Sequence, residues 1–311
     1  MEAIEARREI TIESLQLAGA RAHQERAAHI MFVGAASLSI VISALIIWSL
    51  AAETWTFVSQ VEVAALWTDG WFPRRGMYDV KTLVVGSTLV TAIAMFVAAP
   101  LGLGAAIYLS EYARPSVRRV LKPVLEILAG IPSVVLGFFA LTFISPEVVQ
   151  RFFDAEQFNM AAAGIAVGLL TIPLVASISE DAMRSVPGTL REASYGLGAR
   201  KIVTTVKVVI PAAISGLVAA FIVAVSRAIG ETMVVFIAAG ATGGALFTTD
   251  IFGPGQTMTA AIASQAAGTD QVVGEGLTFQ SLFFVAMLLF LITLILNLVA
   301  DRFVRRVRQS Y

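Results

Sequence analysis

The stretch from Glu192 to Pro211 reads EASYGLGARKIVTTVKVVIP and connects two apolar runs that are each long enough to cross a membrane. Thr189 lies three residues before Glu192, which is the spacing of a capping box, where each side chain bonds to the backbone N–H of the other residue. This spacing predicts a helix that starts just before Ala193.

A turn and a second helix are predicted to follow. Gly196 and Gly198 interrupt the helical pattern, and an apolar pattern of helical period resumes from Lys201 to Val209. The segment 184–212 is therefore predicted to form a helix, a turn and a helix at one end of a bundle of spans. An ordinary amphipathic connector has the same pattern, so the residues alone leave both interpretations open.

The rest of the chain is strongly apolar. Of its residues 57% are hydrophobic and 14% are charged, and the mean hydropathy is +0.81, so most of the chain is expected to lie in lipid. A helix needs about 20 apolar residues to cross the ~30 Å hydrocarbon core. Six runs of that length are almost free of charge: Ile30 to Ala52, Thr82 to Leu109, Leu121 to Ile144, Met160 to Ser179, Ile214 to Ala239 and Leu282 to Ala300. The sequence predicts an all-α polytopic membrane protein with six transmembrane helices.

The basic residues alternate from loop to loop. Seventeen Lys and Arg lie in the two termini and in the loops after spans two and four, four lie in the loops after spans one and three, and one, Arg227, lies within span five. Basic residues near spans stay on the cytoplasmic side. The alternation therefore predicts that both termini are cytoplasmic.

Composition argues against several classes of function. The net charge is zero, which does not suit a surface that binds nucleic-acid phosphates. Because the chain has no cysteine and only two histidines, His23 and His29, neither a metal site nor a cofactor is predicted. No GxxxxGK[ST] phosphate-binding loop and no recognisable nucleophile with its base occur, so the chain is not expected to hydrolyse ATP or to be an enzyme.

Two domains are predicted. Residues 1–28 carry five Glu and four Arg among scattered apolar residues, which indicates a cytoplasmic helix at the membrane interface, although a solvated tail has the same composition. Residues 29–311 are predicted to form one transmembrane domain, with 184–212 as its main cytoplasmic loop.

The segment 192–211 resembles the signature of the permease family of ABC importers, which is EAA, three residues, Gly, nine residues, Ile, one residue and Leu-Pro. The matching positions are Glu192, Ala193, Ser194, Gly198, Val208, Ile210 and Pro211, with Ser for the third Ala, Val for Ile and Ile for Leu. The resemblance implies the type I ABC importer permease fold and a bacterial inner-membrane location. It also implies that one group of residues forms a coupling helix that docks on an ATPase subunit: Glu192, Ala193, Ser194, Gly198 and Pro211.

Other stretches are similar to the phosphate-specific branch of that family: SEYARP from Ser110, LKPVLEILAGIPSVVLGFFAL from Leu121, and SRAIGETMVV from Ser226. TMTAAIA from Thr257 and the end of the last span are similar to one of the two permease types in that branch. This resemblance implies that the chain imports inorganic phosphate. It further implies four kinds of partner besides membrane lipid: a second, PstA-like permease, a dimer of PstB-like ATP-binding subunits, a PstS-like periplasmic phosphate-binding protein, and phosphate itself.

Arg227 and Glu231 are charged residues four positions apart, which places them on one face of the predicted fifth span, where each unpaired charge costs about 2.5 to 3.5 kcal/mol. A neutralising pair that holds the span in the bundle explains them. A guanidinium also offers planar, paired donors that suit phosphate oxygens, and a nearby carboxylate can neutralise it when no anion is bound. The phosphate-branch resemblance favours this second interpretation, a substrate pathway at Arg227 and Glu231.

Two further functions remain open at this point. One is an ABC importer for another oxyanion, such as molybdate or sulfate, because one membrane arginine suits any of these. The other is an ion-coupled secondary transporter that uses Arg227, Glu231 and Glu126 as a relay. The docking signature in 192–211 argues against the secondary transporter.

Overall fold

The computed structural model describes residues 12–240, 243–267 and 276–307. Its α-helices are α1 (Ile12–Gln60), α2 (Val80–Ile107), α3 (Pro115–Ala129), α4 (Ser133–Phe139), α5 (Met160–Arg184), α6 (Gly188–Gly196), α7 (Lys201–Thr204), α8 (Ile214–Ile229), α9 (Met233–Ala238), α10 (Met258–Ala266) and α11 (Thr278–Val307). Wider π-helical turns extend α2, α4 and α7, at Tyr108–Tyr112, Ala140–Val149 and Thr205–Val209. Single α-turns follow at Gln150–Phe152 and Ile210–Ala212.

Five helical segments of the described chain are long and apolar enough to cross a membrane: Glu25–Gln60, Val80–Tyr112, Ser133–Phe152, Met160–Arg184 and Thr278–Arg302. A sixth span arises if Lys201–Ala212 and Ile214–Ile229, which meet at a bend of 72°, count as one. The predicted spans one, two, four and six coincide with these segments. The predicted all-α membrane architecture is therefore confirmed, with corrections to spans three and five.

Span three begins later than predicted. The predicted start at Leu121 is wrong, because Leu121 lies within α3, a separate helix with basic residues among its exposed apolar ones. The chain breaks at Gly130–Pro132, where Pro132 is extended, and the span itself is Ser133–Phe152. A proline cannot donate its backbone nitrogen to a helical hydrogen bond, and it disfavours helical backbone in the residue before it, so α3 ends here.

Span five is also not one helix. The predicted run Ile214 to Ala239 divides into α8 and α9, with Gly230–Thr232 outside both helices. Hydropathy does not detect such a break, because Gly230 and its neighbours leave the run apolar on average.

Residues 1–52 and 53–311 are two compact units. In the first unit, large apolar side chains between residues 30 and 52 are exposed, among them Phe32 at 66%, Ile40 at 69% and Trp48 at 74%. Such a surface is suited to lipid. Helix α1 passes residue 28 without a break. Residues 1–11 lie outside the described residues, so the interfacial role of 1–28 stays a prediction.

The core of the second unit depends on the close approach of α2 and α5. A Cβ at Gly164 would lie 2.7 Å from the Cβ of Ile93, and a Cβ at Gly168 would lie 2.9 Å from the carbonyl oxygen of Ala94. Only glycine fits at such distances, and small residues are what allow membrane helices to pack closely. This contact fixes α5, whose final turn leads into the segment 184–212.

A small antiparallel sheet lies at the end of the second unit opposite that segment. Its strands are β1 (Gly70–Phe72), β2 (Met77–Tyr78) and β3 (Ala245–Leu246), in the order β2-β1-β3. Trp71 pairs with Tyr78 on one side and with Ala245 on the other, and the residue is 1% exposed. The sheet joins the loops that follow α1 and α9, and the sequence did not indicate it.

Candidate functional site

Arg227 and Glu231 meet at the break in span five. Arg227 lies in the last turn of α8, and Glu231 lies between α8 and α9, so the prediction that both share one helix face is corrected. The distance from Arg227 Nη2 to Glu231 Oε2 is 4.0 Å, an ion pair that is longer than a hydrogen bond. The two charges are close, but the donors of the guanidinium are not consumed by the carboxylate.

The two partners differ in exposure. The Arg227 side chain is 58% exposed, whereas that of Glu231 is 6% exposed. Helix α10 holds the Glu231 backbone, because the Thr259 hydroxyl donates to the Glu231 carbonyl oxygen at 2.8 Å. The site therefore presents a cation on its surface and keeps the carboxylate behind it. The sequence pattern does not indicate α10, which lies in a glycine-rich loop.

Helix α6 begins earlier than the predicted capping box requires. Its first residue is Gly188, after an extended Pro187, and no side chain caps it. The capping-box prediction is wrong, because Thr189 lies inside the first turn, where its side chain cannot take the cap position. The predicted helix, turn and helix are otherwise present, as α6 and α7 with Leu197 to Arg200 between them.

The turn after α6 presents an apolar tip. Gly198 has φ +78°, a left-handed conformation that glycine adopts at little cost and other residues rarely adopt. The preceding side chain, Leu197, is 90% exposed. The Ser194 and Thr204 hydroxyls lie 2.8 Å apart and join α6 to α7. Of the other signature residues, Glu192 and Ala193 are exposed on α6 and Pro211 is exposed in the turn before α8.

Arg191 ties this segment to the membrane helices. Its Nη2 lies 2.8 Å and its Nε 3.3 Å from the two carboxylate oxygens of Glu111, at the end of the span that begins with α2. It also donates to the carbonyl oxygens of Met183 at 2.8 Å and Val186 at 2.7 Å. A two-point arginine–carboxylate contact fixes orientation as well as distance. No local sequence pattern indicates this anchor, because Arg191 and Glu111 are 80 residues apart.

Glu180 forms a second anchor, at the end of α5. Its side chain is 1% exposed and lies 2.6 Å from Arg118 Nη2 and 2.9 Å from Lys122 Nζ, both on α3. Arg184 Nε is 3.8 Å away. The hydrogen bond to Glu180 raises the pKa of Lys122 above its ordinary value. Glu180 is therefore a buried carboxylate that holds α3 against α5.

Glu126 does not belong to a membrane relay. It lies on α3, outside the third span, and is exposed. The secondary-transporter hypothesis therefore loses one of the three residues that it required. Within the described ranges 12–240, 243–267 and 276–307, no group of three or more His, Cys, Asp or Glu residues is placed to hold a metal ion.

Known proteins provide an independent comparison. The family described as binding-protein-dependent transport system inner membrane component matches residues 98–309. The phosphate transport system permease protein PstC of Mesorhizobium japonicum is 30% identical, over 99% of this chain and 96% of its own length. The protein of the same description from Pasteurella multocida is 27% identical, over 86% of this chain and 87% of its own.

The fold has a counterpart among solved structures. The inward-facing MetNI methionine ABC transporter contains a chain that superposes with a TM-score of 0.52 at 21% identity, covering 74% of this chain and 94% of that chain. The predicted type I ABC importer permease fold is thereby confirmed. With a family match over most of its length and a relative aligned from end to end, this chain belongs to the family of binding-protein-dependent transport system inner membrane components.

Proposed function

We propose that this chain is the permease subunit of an ATP-driven importer that carries inorganic phosphate into the cytoplasm. One observation carries the proposal. A chain aligned along its length with phosphate transport permeases presents a guanidinium, 58% exposed, at a break in a membrane span. In a bilayer such a cation must face protein, water or an anion, which marks it as a functional group.

Arg227 meets the phosphate oxygens during passage. Its planar donors can bind two oxygens at once, and at 4.0 Å the Glu231 carboxylate offsets its charge without occupying those donors. When phosphate arrives, the anion takes the donors. When phosphate leaves, Glu231 again neutralises the cation. The pair thus alternates between internal neutralisation and anion binding, which avoids an unpaired charge in the membrane.

The segment 184–212 couples the spans to ATP hydrolysis. The turn at Gly198 projects Leu197 as an exposed apolar knob beside Glu192 and Ala193, a shape that suits a groove on an ATPase subunit. Arg191 joins α6 to the end of the α2 span, so displacement of α6 moves that span as well. Ser194 and Pro211 hold the segment's shape, the first through Thr204 and the second at the entrance to α8.

The full importer contains further subunits. The chain has no ATP-binding loop, so a pair of ATPase subunits supplies the energy, and a second, PstA-like permease completes the pathway. A periplasmic binding protein delivers phosphate. The distribution of Lys and Arg supports an orientation in which both termini and the segment 184–212 are cytoplasmic. The chain itself is a non-catalytic translocation subunit.

The test is uptake of radiolabelled phosphate into proteoliposomes that hold the assembled complex, with the binding protein outside and ATP inside. We expect uptake that requires ATP and that excess sulfate or molybdate does not reduce. Uptake of another oxyanion in place of phosphate would contradict the assigned substrate. Uptake that follows a proton gradient and ignores ATP would contradict the ATP-driven mechanism.

A further inference from the structure

A basic cavity of about 450 Å³ lies where α3 meets the ends of spans two and four. The loop charges predict that this end of the second unit is cytoplasmic. Four basic residues line the cavity, Arg118, Arg119 and Lys122 of α3 and Arg184 of α5, together with the carboxylate of Glu126. Arg119 and Glu126 are exposed, so the cavity opens to the surface of the chain.

Two of these basic residues keep donors for a ligand. Arg118 and Lys122 are engaged by the buried Glu180 carboxylate, at 2.6 and 2.9 Å. In the described part of the chain, the Arg119 side chain has no hydrogen bond or ion pair. Arg184 approaches Glu180 only through Nε, at 3.8 Å, and its side chain is 48% exposed. The Arg119 guanidinium and the Nη donors of Arg184 therefore remain available at the cavity.

The charges around the cavity suit one anion. Besides the four basic residues, the cluster contains three carboxylates: the buried Glu180, Asp181, which bonds Lys122 at 3.0 Å, and the exposed Glu126. Three negative charges do not balance four positive ones, so one positive charge is left over. A phosphate group with a single negative charge, such as a phosphodiester, balances it, and its two free oxygens suit the paired donors of a guanidinium.

An apolar crevice of about 180 Å³ adjoins the cavity, between α3 and α5. Three residues line both spaces, so the two are continuous. Beyond these the crevice is lined mainly by apolar residues, among them Leu125 and Ala129 of α3 and Pro173 and Leu174 of α5. Pro173 precedes Arg184 by 11 residues, so the crevice extends about 16 Å along the span from the cavity.

Two tyrosines indicate that the cavity lies at the level of the lipid headgroups. Tyr108 and Tyr112 begin and end the last turn of span two, and Leu109 and Ser110 between them line the cavity. Both tyrosines are exposed, and tyrosine is enriched where a membrane meets water. The basic cavity is therefore placed among headgroups, and the crevice is placed in the hydrocarbon region.

We propose that the cavity and the crevice together bind one anionic phospholipid of the cytoplasmic leaflet. Its phosphodiester contacts Arg119 and Arg184, and one acyl chain lies between α3 and α5. Basic pockets at this side of a membrane suit anionic headgroups. The crevice favours a lipid over free inorganic phosphate, which would use the basic residues alone. The inference goes beyond the proposed function, because it does not depend on the transported substrate.

Native mass spectrometry of the assembled complex tests the site. The complex is freed of lipid in detergent and titrated with phosphatidylglycerol, which is anionic, or with phosphatidylcholine, which has the same phosphodiester but no net charge. We expect phosphatidylglycerol to bind at least about fivefold more tightly than phosphatidylcholine. Excess inorganic phosphate should not displace it, because phosphate has no acyl chain to fill the crevice.

Three substitutions separate the two parts of the site. Arg119→Gln and Arg184→Gln should each weaken phosphatidylglycerol binding about fivefold and leave phosphatidylcholine binding unchanged. Ala129→Phe fills the crevice, keeps every basic residue and should also weaken phosphatidylglycerol binding at least about fivefold. Arg119 and Ala129 are exposed, so their substitution is not expected to disturb folding.

Arg302→Gln is the matched control. Arg302 is an exposed basic residue in the last turns of α11, at the same predicted membrane face, and it lines neither the cavity nor the crevice. The variant should bind phosphatidylglycerol as the parent does.

Four results would overturn the proposal. Equal affinity for the two lipids, or parent-like binding by both Arg119→Gln and Arg184→Gln, would show that the cavity does not bind the headgroup. Displacement by inorganic phosphate would show that the cavity takes a free anion. Parent-like binding by Ala129→Phe would show that no acyl chain occupies the crevice. No saturable phosphatidylglycerol binding would show that the cavity is not a lipid site in the assembled complex.

Discussion

At the scale of single residues, the break in the backbone between Arg227 and Glu231 gives the two side chains different surroundings. On one continuous helix, both side chains would lie on the same exposed face. The break at Gly230 instead leaves Arg227 58% exposed and Glu231 6% exposed. The contact was predictable, because residues four apart meet locally. The difference in exposure was not predictable, because it depends on Thr259, which donates a hydrogen bond to the Glu231 backbone from a helix distant in the sequence.

Glu231→Gln tests the role of the carboxylate. The amide keeps the size of the side chain but no longer neutralises Arg227, so the anion is held more tightly and released more slowly. We expect phosphate uptake to fall about tenfold while the complex assembles normally. Initial uptake rates in proteoliposomes measure this, with Glu147→Gln, which removes an exposed carboxylate paired with Arg151, as the control. An unchanged rate in Glu231→Gln would show that the carboxylate has no part in transport.

Glu180→Gln tests the buried anchor. The substitution leaves Arg118 and Lys122 facing an amide that cannot balance their charge, and both cations are about a quarter exposed, so water recovers part of the loss. We expect a loss of about 1–3 kcal/mol in the free energy of unfolding, seen as a lower Tm. Asp181→Asn is the matched control, because Asp181 also bonds Lys122 but is 64% exposed and should change the Tm little. Equal decreases in Tm in the two variants would show that the burial of Glu180 does not make its ion pairs more stabilising than that of Asp181.

At the scale of elements, the helix–turn–helix of 184–212 is the best-predicted part of the chain. Gly198 produces the turn through its positive φ, and this requirement can be recognised from the sequence. The anchors around the segment were not predictable. Glu180 bonds Arg118 and Lys122, which are 62 and 58 residues away in the sequence, and no local sequence pattern indicates a contact between residues so far apart. The break at 230–232 was missed because hydropathy averages over it, and the same averaging placed the start of span three too early, at Leu121.

Leu197→Asp tests the docking of this element. The side chain is 90% exposed, so the substitution should leave the stability of the subunit within about 0.5 kcal/mol. A charge in an apolar interface should weaken binding to the ATPase subunits at least roughly tenfold and reduce ATP hydrolysis that the binding protein stimulates. Thr189→Ala, an exposed change on the same helix, is the control. Normal binding and normal stimulated ATP hydrolysis in Leu197→Asp would show that the ATPase subunits contact another part of the chain.

At the scale of the whole molecule, the natural absence of cysteine allows the orientation to be tested with single thiols. Thr249→Cys, in the loop after α9, should react in intact cells with a thiol reagent that does not cross the membrane. Ser185→Cys, at the start of the 184–212 segment, should react only after the membrane is opened. Both positions are exposed, so burial does not explain a difference. The reverse pattern would invert the orientation derived from the basic residues.

The most direct test of the central claim, that Arg227 lies on the phosphate pathway of an ATP-driven importer, is to measure phosphate uptake and ATP hydrolysis in the same proteoliposomes for the parent complex and Arg227→Ala. We expect Arg227→Ala to assemble and still hydrolyse ATP in response to the binding protein, while phosphate uptake falls to the level without ATP. Arg151→Ala, which removes an exposed ion-paired arginine, should transport as the parent does. Phosphate uptake by Arg227→Ala at the parent rate would show that Arg227 does not lie on the phosphate pathway.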